Sequence, residues 1–395
     1  MRQPLIRVGL ITAPALQVEH IGGDDPHFIL RNVKIGIGFH WERYVDMSFR
    51  GSLELIHNPD GTITAVNVIP LEEYLRSVIS SEMKSTSDLE LLKAHAVISR
   101  SWLLAQIRPD ERYRADQISD GQERNDNAHS IVRWYDHDDH TGFDVCADDH
   151  CQRYQGIVNV TDVVEEAVNS TRGEVLKYEG QICDARFSKC CGGIMEEFAT
   201  CWAPTRHPYL KALRDNEQEY SDIPDLTRED MARQWIESSP AAFCNTTDKN
   251  LLSQVLNNYD MDDTSFYRWQ VKYTSAELDR LVHERSGIDF GHISGLVPLK
   301  RWRSGRIELL RIEGTLRSVT VGKELEIRRW LSSSHLKSSA FIVDRTDDVW
   351  TLRGAGWGHG VGLCQIGAAM MANHGYDYRA ILAHYYPGAK ISHIP

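Results

Sequence analysis

Apolar residues alternate with small polar ones from Ile6 to Ile11, the two-residue period of a half-buried strand. Leu53-Glu54-Leu55-Ile56 and Thr62 to Val68 flank Asn58-Pro59-Asp60-Gly61. Turn residues between two strand-like runs predict a hairpin. The period then changes. Pro70-Leu71-Glu72-Glu73-Tyr74-Leu75 opens a short helix, because a first turn tolerates proline's missing N–H. Ser80-Ser81-Glu82-Met83-Lys84 breaks it. Ser87 with Glu90 three residues on predicts a capping box and a longer helix from about Asp88 to Gln106. Leu89, Leu92, Ala96, Ser99 and Leu103 mark its inward stripe.

Periodicity fades between Pro109 and Asp162, where the chain is polar, acidic and rich in His, Asp and Cys. Residues 110–165 read as an inserted loop ordered by whatever its Cys and His bind. Strand signals return at Gly173 to Tyr178, before a cysteine-rich run from Phe187 to Trp202. Residues 205–290 form a second insertion with helical stretches at Leu226–Glu237 and Ser275–Arg285. Strands dominate from Leu296 to Val321, turning at Arg303-Ser304-Gly305-Arg306. The succession predicts an α+β fold: one region over residues 1–395, a strand-rich, two-lobed body around a central helix pair.

Six of the fourteen residues from Gly354 to Gly367 are glycine, alternating with Trp357, His359 and Gln365. So much glycine is too costly in backbone entropy for a helix or strand interior. It suits a chain that passes close to another surface, here a loop lining a cleft. From Gln365 the pattern turns helical to Asn373, with Gly375 as the stop. A Gly-rich loop feeding a helix also resembles a phosphate cradle. No Gly-Lys-Ser/Thr closes it, and Trp-Gly-His fits a dinucleotide fingerprint poorly.

A net charge of −12 argues against a nucleic-acid partner, since neutralising phosphates needs a basic face. No run approaches the roughly 20 apolar residues of a transmembrane segment. Residues Met1 to Leu10 lack an apolar core before Arg7 and read as a first strand rather than a leader. The expectation is an intracellular protein or an export signal absent from this sequence. Six of the eight cysteines fall between Cys146 and Cys201, which suggests a local metal site, a local disulfide, or both.

Two blocks carry a resemblance. Leu71-Glu72-Glu73-Tyr74-Leu75, Ser81-Glu82-Met83 and Leu92-Lys93-Ala94-His95-Ala96-Val97-Ile98-Ser99-Arg100-Ser101 form the first. The second is the Gly356-Trp357-Gly358-His359-Gly360-Val361-Gly362-Leu363-Cys364-Gln365-Ile366-Gly367-Ala368 run with His384-Tyr385-Tyr386-Pro387-Gly388. Together with Ser304-Gly305-Arg306, they resemble the SpoIID/LytB family of stage II sporulation protein D and amidase-enhancer proteins. The resemblance covers about residues 5–105, 170–202 and 290–393.

It implies a lytic transglycosylase acting on peptidoglycan glycan strands. Glycosidic cleavage ordinarily uses two carboxylates. A lytic enzyme needs one, because the C6 hydroxyl of the sugar itself attacks the anomeric carbon. Glu82 matches the family's catalytic Glu, and one Glu can protonate the leaving oxygen and then deprotonate that hydroxyl. Lys93 and Arg100, seven apart on one helix face, are placed by the resemblance in the substrate cleft. Cations beside Glu82 would spoil it as an acid, so they are expected to face the lactyl carboxylate of muramic acid stripped of its stem peptide. Lys189 is a further substrate-binding candidate. His359 and Gln365 are expected to hydrogen-bond sugar hydroxyls, and Trp357 either stacks on a sugar ring or belongs to the core.

His140, Cys146, His150 and Cys151 resemble the two-His, two-Cys zinc site of some family members, with spacing that differs by a residue. His137 is an alternative to His140. Four ligands would close a structural site, which argues against a zinc hydrolase. The other reading is a loop disulfide, or reduced thiols beside incidental histidines. Cys190, Cys191 and Cys201 carry no assigned role; Cys190 and Cys191 cannot easily bridge each other, but either could pair with Cys201 or Cys183. An amidase-enhancer reading, in which the chain binds glycan or a cell-wall amidase without catalysis, stays open beside the enzyme.

Overall fold

Strand Leu5–Ala13 pairs antiparallel with Ile63–Pro70, from Leu5 opposite Pro70 to Ala13 opposite Ile63. The computed structural model that shows this describes residues 3–35, 42–108, 125–135, 140–217, 223–256 and 264–394. Ser52–His57 adds the predicted hairpin at one edge of this sheet, and Val145–Cys146 adds a short parallel strand at the other. A three-stranded antiparallel sheet, Val18–Ile21, His27–Ile35 and Arg43–Phe49, lies against it. The fold is α+β.

Helix α1 runs from Leu71 to Glu82, capped by Pro70 without a side-chain bond. Helix α2 runs from Leu89 to Ile107. Its cap is Asp88, whose side chain accepts from Glu90 N at 2.8 Å. The expected Ser87 box does not form. Ser87 Oγ donates to the carbonyls of Lys84 and Gln254, while Glu90 turns to Lys93 and to Tyr378 N. The remaining helices are α3 (Asp162–Ser170), α4 (Glu229–Ser238), α5 (Lys249–Val255), α6 (Ser275–Ser286), α7 (Glu324–Trp330), α8 (Gln365–Asn373) and α9 (Tyr378–Tyr385). Of these, α3, α8 and α9 join α1 and strand Glu174–Tyr178 around α2. From Leu91 to Gln106 only Lys93 of α2 is more than marginally accessible. One inward stripe was the wrong expectation; the helix is a central rod. Among the described residues no helix is long and apolar enough to cross a membrane.

Among the described residues the rest of the chain builds four further sheets, two of them small: Gln181–Ile182, Glu174–Tyr178 and Lys390–His393 form one, and Phe187–Ser188 with Leu363–Cys364 the other. Strands Arg268–Thr274, Val349–Ala355 and Phe341–Thr346 lie side by side in that order. A five-stranded sheet runs Ile293–Arg301, Ile307–Gly314, Ser318–Gly322, Ser130–Val132 and Asn125–Asn127. The Cys/His-rich segment is therefore sewn into two sheets, through Ser130–Val132 and through Val145–Cys146. Segment 205–290 supplies a whole strand, paired from Arg268–Ala355 to Thr274–Val349. Buried apolar side chains gather in one large cluster around α1, α2 and α8 and a second around Ile307, Leu310 and Phe341.

The Gly-rich run is a clasp rather than a surface lining. Gly356, Gly358, Gly360 and Gly362 all have φ between 72° and 93°, a left-handed backbone at every second residue. A Cβ on Gly362 would lie 2.0 Å from Arg186 O, and one on Gly360 would lie 2.5 Å from the Arg306 guanidinium. Leu363–Cys364 then pairs in parallel with Phe187–Ser188. Only Trp357 to His359 of the run remain half-buried; Gly360 to Leu363 are closed off. Gln365 starts α8 and Gly375, at φ 86°, follows its end, as the pattern predicts.

Candidate active site and metal loop

Glu82 is the last residue of α1, where unpaired helix carbonyls concentrate negative charge. A carboxylate there is disfavoured for stability, which makes the position notable. The side chain is half-buried and its Oε1 accepts the Arg153 N–H at 2.8 Å. Burial pushes its pKa up, against the weaker pull of Arg153 and Lys189, and Asp149 adds to the rise. The result is a carboxyl that holds its proton further up the pH scale than a free Glu, as a general acid requires.

The loop opposite Glu82 is pinned to α1. Gln155 N donates to Ser81 Oγ at 3.0 Å, and Ser81 Oγ donates to Ser77 O at 2.6 Å. The Tyr154 ring stacks between Phe49 and Tyr74, with centroids 5.7 and 5.2 Å away. Arg153 pairs with Asp149 at 2.9 Å.

Immediately before this loop, His140, Cys146, His150 and Cys151 converge, their donor atoms all within 4.8 Å of one another. His140 Nε2 lies 3.2 Å from both Cys151 Sγ and His150 Nδ1. His150 Nδ1 is 3.6 Å from Cys151 Sγ and 4.0 Å from Cys146 Sγ. A tetrahedral zinc with Zn–S near 2.3 Å and Zn–N near 2.0–2.1 Å would set such edges at about 3.3–3.8 Å. The donor set fits a zinc ion in type, number and spacing. The hydrogen bond from Cys151 pushes the Cys146 thiol down to about 4, while Cys151 is held up as the donor. The two are not disulfide-linked. His137 lies outside the described residues.

The other expected site residues separate. Arg100 is fully buried and grips Glu72, with Nε and Nη2 at 3.0 and 2.7 Å from its two oxygens; a third bond reaches Glu174 O at 2.9 Å. It cannot meet a substrate carboxylate, and that expectation is corrected. Lys93 is tied to Glu90 at 2.7 Å and lies over the Tyr378 ring, on the α9 side. Gln365 is buried and donates to His95 Nε2 at 3.0 Å, which leaves no reach to a sugar. His359 accepts Val361 N–H on Nδ1 and sits edge-on to Trp202. Burial, then Arg186, holds its pKa well below the usual value, so it is neutral. Trp357 is half-buried, stacked on Phe266 at 4.9 Å. Of the expected cations, Lys189 acts electrostatically on Glu82; its Nζ donates to Val255 O at 3.1 Å.

Sequence reasoning missed Arg153, which meets Glu82 through its backbone N–H as well as its charge, and His95, buried inside α2. It also left Ser304-Gly305-Arg306 without a task. Arg306 is fully buried and clamps the clasp, reaching Gly358 O at 3.0 Å, Cys191 O at 3.2 Å and Ser304 Oγ at 3.0 Å. Ser304 Oγ donates at 2.6 Å to Glu196, whose carboxyl burial pushes up to about 7. Cys190 and Cys191 do not pair with Cys201 or Cys183. They lie with Cys244 and Cys364, while Cys201 Sγ donates to His359 O.

Residues 59–178, which hold α1, α2 and the Cys/His loop, match a family model described as stage II sporulation protein. Residues 196–362 match a domain of unknown function, DUF8618. An uncharacterized protein of Brachyspira hyodysenteriae is 26% identical over 345 residues, 87% of this chain and 72% of its own length. The amidase enhancer of Bacillus subtilis is 25% identical over 334 residues, 80% of this chain but 40% of that protein. Stage II sporulation protein D of Bacillus subtilis is 25% identical over 333 residues, covering 83% and 76%. Glu82, its loop and the two helices thus lie within the stretch that matches the stage II sporulation protein model, and over most of its length the chain is similar to stage II sporulation protein D and to the amidase enhancer, which supports a cell-wall related role.

Proposed function

We propose that the protein is a lytic transglycosylase that cleaves the MurNAc–GlcNAc bond of peptidoglycan, with Glu82 as acid and then base. The observation that carries this reading is a half-buried carboxyl whose pKa is raised by burial and whose Oε1 is held by one backbone N–H. Oε2 is the atom to donate. Its proton passes to the glycosidic oxygen as the bond from that oxygen to the MurNAc anomeric carbon breaks. The C6 hydroxyl of the same MurNAc then bonds to that carbon and returns its proton to Glu82. No water is consumed, and the product ends in 1,6-anhydro-MurNAc.

Lys189 takes the role first given to Lys93 and Arg100. It is the side-chain cation beside Glu82 in addition to Arg153, and it suits the lactyl carboxylate of a stripped strand. The residues His140, Cys146, His150 and Cys151 would hold a zinc ion whose contribution is structural, because four protein ligands leave no open position. Their work is to set the following turn so that the Arg153 N–H meets Glu82.

Purified glycan strands incubated with the protein, followed by mass spectrometry, test the reaction. Appearance of anhydro-MurNAc ends with wild type and not with Glu82→Gln is the expected result; unchanged strands overturn it. A relative named amidase enhancer favours a second reading, in which the same fold stimulates a cell-wall amidase. Stem-peptide release by such an amidase, rising equally with wild type and Glu82→Gln, would select that reading.

A further inference from the structure

Cys190, Cys191, Cys244 and Cys364 come from three distant parts of the chain and meet in the interior, none more than 2% exposed. Cys191 Sγ lies 3.5 Å from Cys244 Sγ. Cys190 and Cys191 each share hydrogen bonds with both Cys244 and Cys364. Asp215 is fully buried beside them, its Oδ2 3.4 Å from Cys191 Sγ. The donor atoms of Cys191, Asp215, Cys244 and Cys364 all fall within 4.8 Å of one another. This group shares no residue with the His140–Cys151 loop, and none of its cysteines is disulfide-bonded.

Such a cluster is hard to explain as packing. Asp215 receives Tyr385 O–H at 2.8 Å and Cys244 N–H at 3.2 Å, yet no Lys or Arg reaches it among the described residues. Among the described residues its basic neighbour is His384, at 3.6 Å. An anionic group buried without counter-charge is costly, and a bound cation removes that cost. The backbone also aims at the sulfurs. Cys191 N donates to Cys364 Sγ at 3.2 Å, Gly193 N to Cys191 Sγ at 3.4 Å, and Gly192 N to Cys190 Sγ. Gly192 and Gly193 manage this at φ 80° and 102°, and a Cβ on Gly192 would strike Gly356 N at 2.8 Å. N–H groups turned onto sulfur are the supporting shell of a thiolate metal centre.

We propose that Cys191, Asp215, Cys244 and Cys364 bind one divalent cation of the zinc class in a second, closed, structural site, with Cys190 packed beside them. Thiolates around one zinc, at Zn–S near 2.3 Å, have sulfurs about 3.8 Å apart. The 3.5 Å seen here suits that single ion. A cubane iron–sulfur cluster would hold its cysteines on the outer corners of a larger cage, further apart than these. The ion would fasten four segments: the chain just after strand Phe187–Ser188, the stretch at Asp215, the turn between α4 and α5, and the head of α8. Metal content reads this site whether or not the lytic reaction is correct.

The test is elemental analysis and native mass spectrometry of protein purified without chelator or added metal. A Cys146→Ser/Cys151→Ser variant, which empties the loop, should keep one zinc-class atom per chain. Adding Cys244→Ser and Cys364→Ser should remove it, whereas adding Cys183→Ser, buried outside the cluster, should not. Should the cluster variants fail to fold, the loop variant refolded with cobalt should show the sulfur-to-metal charge-transfer absorption of a tetrahedral, thiolate-bound ion. A folded loop variant without metal, two disulfides among these cysteines, or iron with acid-labile sulfide would each overturn the proposal.

Discussion

Gln365 and His95 join the two ends of the family signature: the Gln365 amide donates to His95 Nε2 across 3.0 Å, linking residues 270 positions apart. With Nε2 accepting, His95 carries its proton on Nδ1 and donates to Ser99 Oγ at 3.1 Å. The imidazole is fully buried, and burial, then Lys189, pushes its pKa down to about 3 from 6.5. Between those values the unfolded chain binds a proton that the folded chain refuses. His95 thus contributes stability that is complete above the unfolded pKa and is lost as pH falls toward the folded one. His359 acts in the same sense, while Glu196, protonated up to about pH 7, acts in the opposite one. The difference between wild type and His95→Asn isolates the effect. Urea unfolding should show the wild-type advantage shrinking as pH falls through this window; a constant difference would rule the argument out.

Glu82→Gln keeps the shape of the side chain and the Arg153 contact but cannot transfer a proton. Release of anhydro ends should fall by about 10²–10⁴-fold, the usual contribution of general acid–base catalysis. Melting temperature should not drop, because a neutral group suits the C-terminus of α1 better than a carboxylate. The wild-type rate should decline as pH rises through the raised pKa of Glu82, since cleavage starts from the protonated form. Retention of rate by the variant would move the acid elsewhere.

Arg100 is expected to matter for folding rather than for substrate choice. Removing one partner of a buried ion pair typically costs about 3–5 kcal/mol, because the other charge is left unpaired. Arg100→Ala should lose that much in denaturant titration, and Arg100→Met with Glu72→Leu should lose far less. Preference for stripped over peptide-bearing strands should survive in the double variant and weaken in Lys189→Ala. Loss of the preference with Arg100 alone, at unchanged stability, would return it to the cleft.

The same residues show what a sequence can and cannot reveal. Local periodicity placed the hairpin around Asn58 to Gly61, the break at Glu82 and the start of α8, because each depends on neighbours in the chain. Lys93 and Arg100 read as one polar face of α2, yet Glu72 from α1 swallows the Arg100 charge. Only packing of five elements around α2 decides that. The glycines of the clasp announced a close approach but not its partners, Arg186 O and Arg306, which lie more than fifty residues away in sequence. Cys244 sits among unremarkable neighbours, so its meeting with Cys190, Cys191 and Cys364 is visible only once the chain is folded.

The metal loop offers a last prediction, about how stability and chemistry are coupled. Residues 140–151 bury little apolar surface of their own, and the turn they precede supplies the Arg153 N–H to Glu82 and Gln155 N to Ser81. Ligand binding at a structural zinc is folding energy, and it needs deprotonated thiols. Chelation should therefore lower the melting temperature first, with lytic rate falling only as this turn loosens. Cys146→Ser should behave as the chelated protein does, while Asp149→Asn should lower the pKa of Glu82 and leave the metal in place, since Asp149 raises that pKa without being a ligand. The pH–rate profile of Asp149→Asn would shift to lower pH on its descending limb. If chelation instead abolished turnover at full thermal stability, the ion would be taking part in the reaction, and its structural assignment would fail.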